Sequence, residues 1–212
     1  MKIARQGWKF VATGLVVMAM GLVLVFSDAL IPGIILLILG ADFAAFCVYF
    51  FRDPERPLPT DPGKIYSPGD GTVLSVAREG PGDIATLRIF LSIFNVHLQR
   101  APCSGRVKQV HHQSGSFAAA MREEAKVNER CVMTLMPEGR RDPLIVEQIA
   151  GLIARRIECW PKPQERLTAG QRYGIIYFGS QAAVHFPASA RCLVKPGDKV
   201  VGGVTAIGEW IS

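Results

Sequence analysis

Three side chains of this 212-residue chain have the chemistry needed to activate a hydroxyl group together. Ser180 lies between two apolar runs, His97 ends another apolar run, and Asp70 lies in a Pro-Gly-Asp-Gly turn. In nucleophilic catalysis a histidine accepts the proton of a serine hydroxyl, while a carboxylate fixes the tautomer of that histidine. Their spacing along the chain does not by itself bring these residues together, so the fold must decide whether they meet.

Each of these residues also has a purely structural interpretation. The Gly179-Ser180 pair could be a turn or bulge between strands, His97 could simply be packed at a strand end, and Asp70 could stabilise its own turn. The sequence around Ser180 is not Gly-x-Ser-x-Gly, which disfavours the nucleophile elbow of α/β-hydrolases. No pair among the four histidines has the i, i+4 spacing of a helical zinc site, so no metal is expected.

The apolar front of the chain predicts a membrane anchor. Residues 10–26 contain no charge, and residues 30–51 contain only Asp42. Each stretch approaches the ~20 residues that a helix needs to cross a bilayer, and turn-forming residues separate them. We therefore predict a membrane-anchoring helical hairpin over residues 1–51. Basic residues flank both ends, so the positive-inside rule places the body on the cytoplasmic side of the cell (inner) membrane.

Two other interpretations of this front remain open. A secretory signal could end near residues 27–29, although a second apolar run follows at once. A monotopic anchor could lie in one leaflet, because Asp42 would cost ~2.5–3.5 kcal/mol at the centre of a bilayer. The crossing and the monotopic interpretations both attach the protein to a membrane.

The remaining sequence predicts a proline-rich linker over residues 52–66 and a β-rich catalytic domain over residues 67–212. Short runs of Val, Ile and Leu alternate there with Gly and Pro turns, which is typical of a sandwich or barrel. One helix is predicted over residues 117–127, and residues 153–157 are ambiguous. The predicted fold class is mainly β (α+β), a sandwich-like or barrel-like body preceded by an apolar helical hairpin. The predicted strands cover residues 72–76, 85–94, 106–110, 131–136, 144–149, 174–178, 182–186 and 199–207.

Charge and cysteine content narrow the choice of partner and compartment. The net charge of +6 suits a body close to an anionic membrane surface. The basic residues are dispersed and form no patch with aromatic residues, so nucleic acid is not an expected partner. The five cysteines are odd in number and contain no CxxC pair, which argues against a disulfide framework and agrees with a reducing cytoplasm.

Several segments together resemble the phosphatidylserine decarboxylase family, in particular its short form. Each segment is a weak indication when taken alone, but the order and spacing of the segments are specific. Together with the apolar front they cover most of the chain. Longer relatives carry a second histidine where this chain has Phe94, and a Leu and a Thr where it has Phe178 and Gln181. The Gly179-Ser180 bond between them is retained. The segments are residues 50–56, 67–71, 94–97, 100–102, 128–130, 148–157, 170–174 and 178–180.

The resemblance implies a zymogen that cuts itself between Gly179 and Ser180. Ser180 would attack the Gly179 carbonyl, with His97 as the base and Asp70 orienting it. β-Elimination and hydrolysis would then turn Ser180 into a covalent pyruvoyl cofactor. The β chain, 1–179, and the α chain, 180–212, would remain together as a heterodimer, and further assembly into homo-oligomers is left open.

The resemblance also implies the reaction, a step of phospholipid biosynthesis catalysed by a carboxy-lyase. The pyruvoyl group would form a Schiff base with membrane phosphatidylserine and release carbon dioxide, leaving phosphatidylethanolamine. Two other hypotheses remain. A membrane-tethered serine hydrolase would use Ser180, His97 and Asp70 in an uncut chain. A non-enzymatic anchor or carrier module would tolerate alanine at both Ser180 and His97.

Overall fold

The computed structural model describes residues 2–79, 84–116, 127–151 and 156–211. The chain divides into two compact units, Met1–Pro54 and Glu55–Ser212. Of the helix predicted over residues 117–127, all but Val127 lies outside the described residues. The ambiguous segment over residues 153–157 is described only at its last two positions, where Ile157 begins a strand.

The first unit is a helical hairpin, as predicted. A short 3-10 turn, Arg5–Gly7, leads into α1 (Trp8–Phe26), and α2 (Leu30–Phe50) follows after a tight turn. Both helices are long and apolar enough to cross a membrane by length and composition, and most of their large apolar side chains are exposed. The hairpin is therefore compatible with membrane association.

Glycines let the two helices approach each other closely. A Cβ atom on Gly21 would lie 2.7 Å from the Leu37 amide nitrogen, and one on Gly40 would lie 2.7 Å from the Met18 amide nitrogen. Apolar helices in lipid usually pack through small residues that bring their backbones into contact, because the hydrophobic effect does not drive helix association there. The hairpin is thus held together by close packing of α1 against α2.

The body is built almost entirely of antiparallel strands. Strand β1 of the hairpin unit pairs with β2 of the same unit, and the remaining strands form three sheets in the second unit. The described strands are β1 (Lys2–Ile3), β2 (Arg52–Asp53), β3 (Lys64–Tyr66), β4 (Gly71–Glu79), β5 (Ile84–Leu91), β6 (Leu98–Arg100), β7 (Gly105–Gln113), β8 (Arg130–Pro137), β9 (Leu144–Ile149), β10 (Ile157–Cys159), β11 (Arg166–Leu167), β12 (Arg172–Ile176), β13 (Ser180–Phe186), β14 (Ala190–Cys192), β15 (Lys199–Val200) and β16 (Ala206–Trp210).

The largest sheet has eight strands in the order β11-β7-β8-β9-β13-β5-β4-β15, and two three-stranded sheets accompany it, β10-β12-β6 and β14-β16-β3. Alternate residues of β13, namely Ala182, Val184 and Phe186, enter the main apolar core. Because successive side chains of a strand point to opposite faces, Ser180 lies on that same core face. The mainly β fold class with its apolar hairpin is confirmed.

The short strands β6, β10, β11 and β14 lie outside the predicted strands, and two further segments differ from the sequence prediction. The run over residues 199–207 is two strands, β15 and β16, because a turn with Gly203 at φ +70° separates them. The predicted linker over residues 52–66 contains β2 and β3, and β3 pairs with β16 near the other end of the chain. Short strands of this kind depend on a distant partner, so their own sequence indicates them only weakly.

Candidate active site

Ser180 is the first residue of β13 and lies opposite Leu91, the last residue of β5. Its side chain is fully buried, and its Oγ atom has no hydrogen-bond partner among the described residues. A buried hydroxyl without a partner costs about 1–3 kcal/mol. Such a group needs an explanation other than stability.

The backbone just before Ser180 has an unusual conformation. Phe178 has φ +55° and Gly179 has φ +77°, so two consecutive residues occupy the left-handed region. This region costs a residue with a side chain roughly 1–2 kcal/mol, whereas glycine tolerates it. Strain of this kind persists only where the surrounding structure imposes it, and it concentrates at functional sites.

Tyr177 anchors the strained pair on its N-terminal side. It is buried, its hydroxyl donates to Glu158 Oε1 at 2.7 Å, and the Arg156 guanidinium lies 5.7 Å from the centre of its ring. Burial, followed by the hydrogen bond to Glu158, raises the pKa of Tyr177. The phenol therefore stays protonated and keeps this contact at neutral pH.

His97 lies against the same peptide junction and is fully buried. The Gly179 N–H donates to His97 Nε2 at 3.2 Å, and His97 Nδ1 lies 3.0 Å from the carbonyl oxygen of Asn95. These partners assign the tautomer, because a carbonyl oxygen can only accept from Nδ1–H. The lone pair of Nε2, which is the basic nitrogen, therefore faces the residue that precedes Ser180.

A short turn carries His97 to this position. The Ser92 N–H donates to Asn95 Oδ1 at 2.9 Å, and the Asn95 N–H donates to the Ser92 carbonyl oxygen at 2.8 Å. This turn directly follows Leu91, the residue opposite Ser180. Asn95, which both closes the turn and orients His97, was not among the predicted site residues. The signal that could have found it is Ser92-x-x-Asn95, a spacing that suits a side-chain-capped turn.

Asp70 has different partners from those expected. Its two carboxylate oxygens accept from both Arg56 terminal nitrogens at 2.7 and 2.8 Å, and Oδ1 also accepts from the Gly202 N–H at 2.8 Å. In the described residues it is Asn95, rather than Asp70, that orients the His97 ring. The physical reason is that a guanidinium binds a carboxylate through two parallel, charge-assisted hydrogen bonds, and Arg56 is placed to form both with Asp70.

The histidine of β13, His185, belongs to a different cluster. His185 is five residues from Ser180 and therefore faces the opposite side of β13. Its ring nitrogens lie 2.9 Å from Thr86 Oγ1 and 3.1 Å from Glu147 Oε1. Burial alone would raise the pKa of Glu147, but the contact with His185 and the charge of Arg130 hold it below its usual value. This network is separate from the Ser180 site.

Comparisons with known proteins agree on one family. The sequence profile of phosphatidylserine decarboxylase matches residues 43–208. The chain is 44% identical to the phosphatidylserine decarboxylase proenzyme of Symbiobacterium thermophilum, over 98% of this chain and 95% of the relative. It is 39% identical to the proenzyme of Desulfotalea psychrophila, over 79% of this chain and 80% of the relative. It is 42% identical to the proenzyme of Nocardia farcinica, over 79% of this chain and 74% of the relative.

Proposed function

Because the chain belongs to the phosphatidylserine decarboxylase family, we propose that it cuts itself between Gly179 and Ser180 and then decarboxylates phosphatidylserine to phosphatidylethanolamine. One observation carries this proposal. The Ser180 hydroxyl is buried with no partner among the described residues, it follows directly on a left-handed pair, and the basic nitrogen of His97 contacts the same junction. A nucleophile and a base beside the bond to be cut are what a self-cleaving chain requires.

Cleavage begins when Ser180 Oγ attacks the carbonyl carbon of Gly179. For this step His97 Nε2 releases the Gly179 N–H and accepts a hydrogen bond from the Ser180 hydroxyl instead. It then accepts the hydroxyl proton and passes a proton to the departing backbone nitrogen of Ser180. The amide thereby becomes an ester, and departure from the left-handed geometry relieves part of the strain. Loss of the Ser180 Cα proton then expels the Gly179 carboxylate and leaves dehydroalanine, which water converts to a pyruvoyl group and ammonia.

The surroundings of Ser180 fit the resulting group. Its neighbours on the core face, Leu91 and Ala182, are fully buried, so the group lies against apolar side chains. A pyruvoyl group needs no more room than the serine it replaces. It supplies an electrophilic carbonyl that binds the substrate amine and accepts the electron pair released with carbon dioxide.

The sheet explains how the two products would stay together. β13, at the start of the α chain 180–212, is hydrogen-bonded on one side to β5 and on the other to β9, both in the β chain 1–179. β16 pairs with β3, and β15 pairs with β4, in the same way. The cleaved protein is therefore a heterodimer held by strand pairing and a shared core.

Asp70 and the hairpin have supporting roles in this proposal. Asp70 is a positioning residue, which ties Arg56 to Gly202 beside the turn over residues 68–71. This turn contacts the strand that follows His97, since a Cβ atom on Gly69 would lie 2.9 Å from the Gln99 amide nitrogen. The helical hairpin would attach the chain to the membrane that contains its substrate, with the body on the cytoplasmic side.

The function can be tested with purified full-length protein and vesicles that contain phosphatidylserine. We expect release of carbon dioxide and formation of phosphatidylethanolamine. Phenylhydrazine, which condenses with carbonyl groups, should abolish both and add its mass less one water to residues 180–212. An intact chain that hydrolyses esters and ignores phenylhydrazine would instead support a membrane-tethered serine hydrolase.

Gly179→Ala tests the left-handed geometry separately. The new Cβ atom would meet only Ile93 Cγ2 at 3.6 Å, an ordinary contact, so the cost is conformational. This cost is roughly 1–2 kcal/mol, so the variant populates the conformation with φ +77° less often. We therefore expect cleavage to be about tenfold slower. The half-time of cleavage, followed by denaturing mass spectrometry, measures it.

Gly139→Ala is the matched control. Gly139 has φ +69° and open space around its Cβ position, so it suffers the same backbone cost far from the junction in sequence. We expect this variant to lose stability but to cleave at the wild-type rate. Equal cleavage rates for the two variants would mean that the geometry at Gly179 does not contribute.

A further inference from the structure

Two buried glutamines have amide oxygens without hydrogen-bond partners among the described residues. Gln148 is 1% exposed and Gln99 is fully buried, and Oε1 of each has no partner in the part of the chain that the structure describes. Their amide nitrogens make long contacts of 3.4 Å, with the carbonyl oxygens of Glu158 and His97 respectively. A buried oxygen without a partner is unfavourable, so each of these two needs an explanation.

Gln148 is a neighbour of Ser180 on the core face of the large sheet. It lies opposite Ala182 in the pairing of β9 with β13, so its side chain shares a face with Ala182 and Ser180. Ser180 is two residues from Ala182 and is thus diagonal to Gln148. Diagonal positions of an antiparallel pair are roughly 7–8 Å apart, within reach of a long side chain.

Gln99 approaches from the smaller sheet, on the Leu91 side. Its amide oxygen and nitrogen lie 3.2 and 2.9 Å from the Cβ position of Gly69, and Leu91 Cδ2 lies 3.2 Å from the same point. Leu91 is the residue opposite Ser180. The two glutamines therefore come from different sheets, and each lies beside a different neighbour of Ser180.

The free atoms are both oxygens, which determines what they can bind. A carboxamide oxygen accepts hydrogen bonds, so it complements an N–H donor and disfavours a phosphate or a carboxylate. The lipid of the proposed function carries one such donor, the primary amine of its serine head group. We propose, on the basis of that function, that Gln148 and Gln99 are positioning residues that accept hydrogen bonds from the substrate amine in the cleaved enzyme.

The variants Gln148→Met and Gln99→Met remove the acceptors at similar volume, and Gln148→Glu restores one. Gln109→Met, at an exposed position of β7, is the control. Denaturing mass spectrometry should show all four chains cleaved, because the amine has no part in cleavage. Since the glutamines lie in different sheets, a folding defect in one methionine variant leaves the other able to test the proposal.

Amine binding is measured by reductive trapping with cyanoborohydride, which adds the mass of the lipid less one oxygen to residues 180–212, because the imine forms with loss of water and is then reduced. The probes are short-chain phosphatidylserine and short-chain phosphatidylethanolamine, which share the amine but differ in the carboxylate. We expect the half-saturating concentration of both to rise about tenfold or more in the methionine variants, with the maximal rate nearly unchanged. Gln148→Glu and Gln109→Met should remain within about threefold of wild type.

Three outcomes would overturn the proposal. An unchanged half-saturating lipid concentration in both methionine variants would mean that the glutamines have a structural role or bind a buried water molecule. An effect on phosphatidylserine alone would indicate recognition of the carboxylate. Uncut methionine variants would assign the glutamines to cleavage. Failure of the wild-type chain to cleave or to trap either lipid would remove the proposed function itself, and it would be seen before any variant is compared.

Discussion

Ser180→Ala is expected to leave the chain as one uncut polypeptide with no measurable decarboxylation of phosphatidylserine. Without the hydroxyl there is no nucleophile for the Gly179 carbonyl and no precursor of the pyruvoyl group, so both activities are lost together. The same change should not harm folding. Since Ser180 Oγ is buried without a described partner, its removal should leave the free energy of unfolding unchanged or raise it by about 1 kcal/mol.

The measurements are intact mass under denaturing conditions and thermal unfolding of the uncut chain. Because cleavage itself alters stability, the melting temperature of Ser180→Ala is compared only with that of a chain that is also uncut, such as His97→Gln soon after synthesis. For cleavage and activity, Ser189→Ala is the matched control. Ser189 lies in the same C-terminal segment and donates to Asp142 at an exposed site, so its chain should be cut and active. A Ser180→Ala chain that splits after Gly179, or that decarboxylates the lipid, would refute the proposed mechanism.

His97→Gln is expected to slow cleavage by a factor of about 10²–10⁴, the usual contribution of a general base. Glutamine can still accept from the Gly179 N–H through its amide oxygen, but it cannot take the proton of the Ser180 hydroxyl. The substitution thus removes the basic nitrogen while it keeps an acceptor for the Gly179 N–H, which lies 3.2 Å from His97 Nε2. His97→Ala should be slower to cleave and also less stable, because it leaves the Gly179 N–H without that acceptor.

The half-time of cleavage after synthesis provides the measurement for His97. His111→Gln, a substitution at an exposed position of β7, should cleave like the wild-type chain. Cleavage of His97→Gln at the wild-type rate would show that another group removes the proton. In that case the contact between His97 and Gly179 would be structural.

Much of the architecture follows from local sequence patterns. The two apolar stretches correspond to α1 and α2, and the alternating Val, Ile and Leu runs correspond to most strands of the large sheet. These elements were predictable because length, charge and a period of two residues are local properties. The same patterns marked Ser180 and His97, since each lies at one end of an apolar run.

The sequence could not assign partners to the side chains that it marked. Asp70 was expected beside His97, yet its carboxylate binds Arg56 and Gly202. The orienting contact comes instead from Asn95, only two residues from His97. A carboxylate forms hydrogen bonds with the donors that the fold brings near it, and a turn motif carries no information about those donors.

By itself, the sequence determined the apolar hairpin, the β-rich body and a nucleophile and base of the right types. The tertiary structure alone decided that Ser180 lies opposite Leu91, with Gly179 in the left-handed region and its N–H on His97. The physical reason is that strand register and backbone strain arise from pairing between distant segments. Side-chain periodicity specifies which face a residue occupies, and only the assembled sheets specify which neighbours it meets.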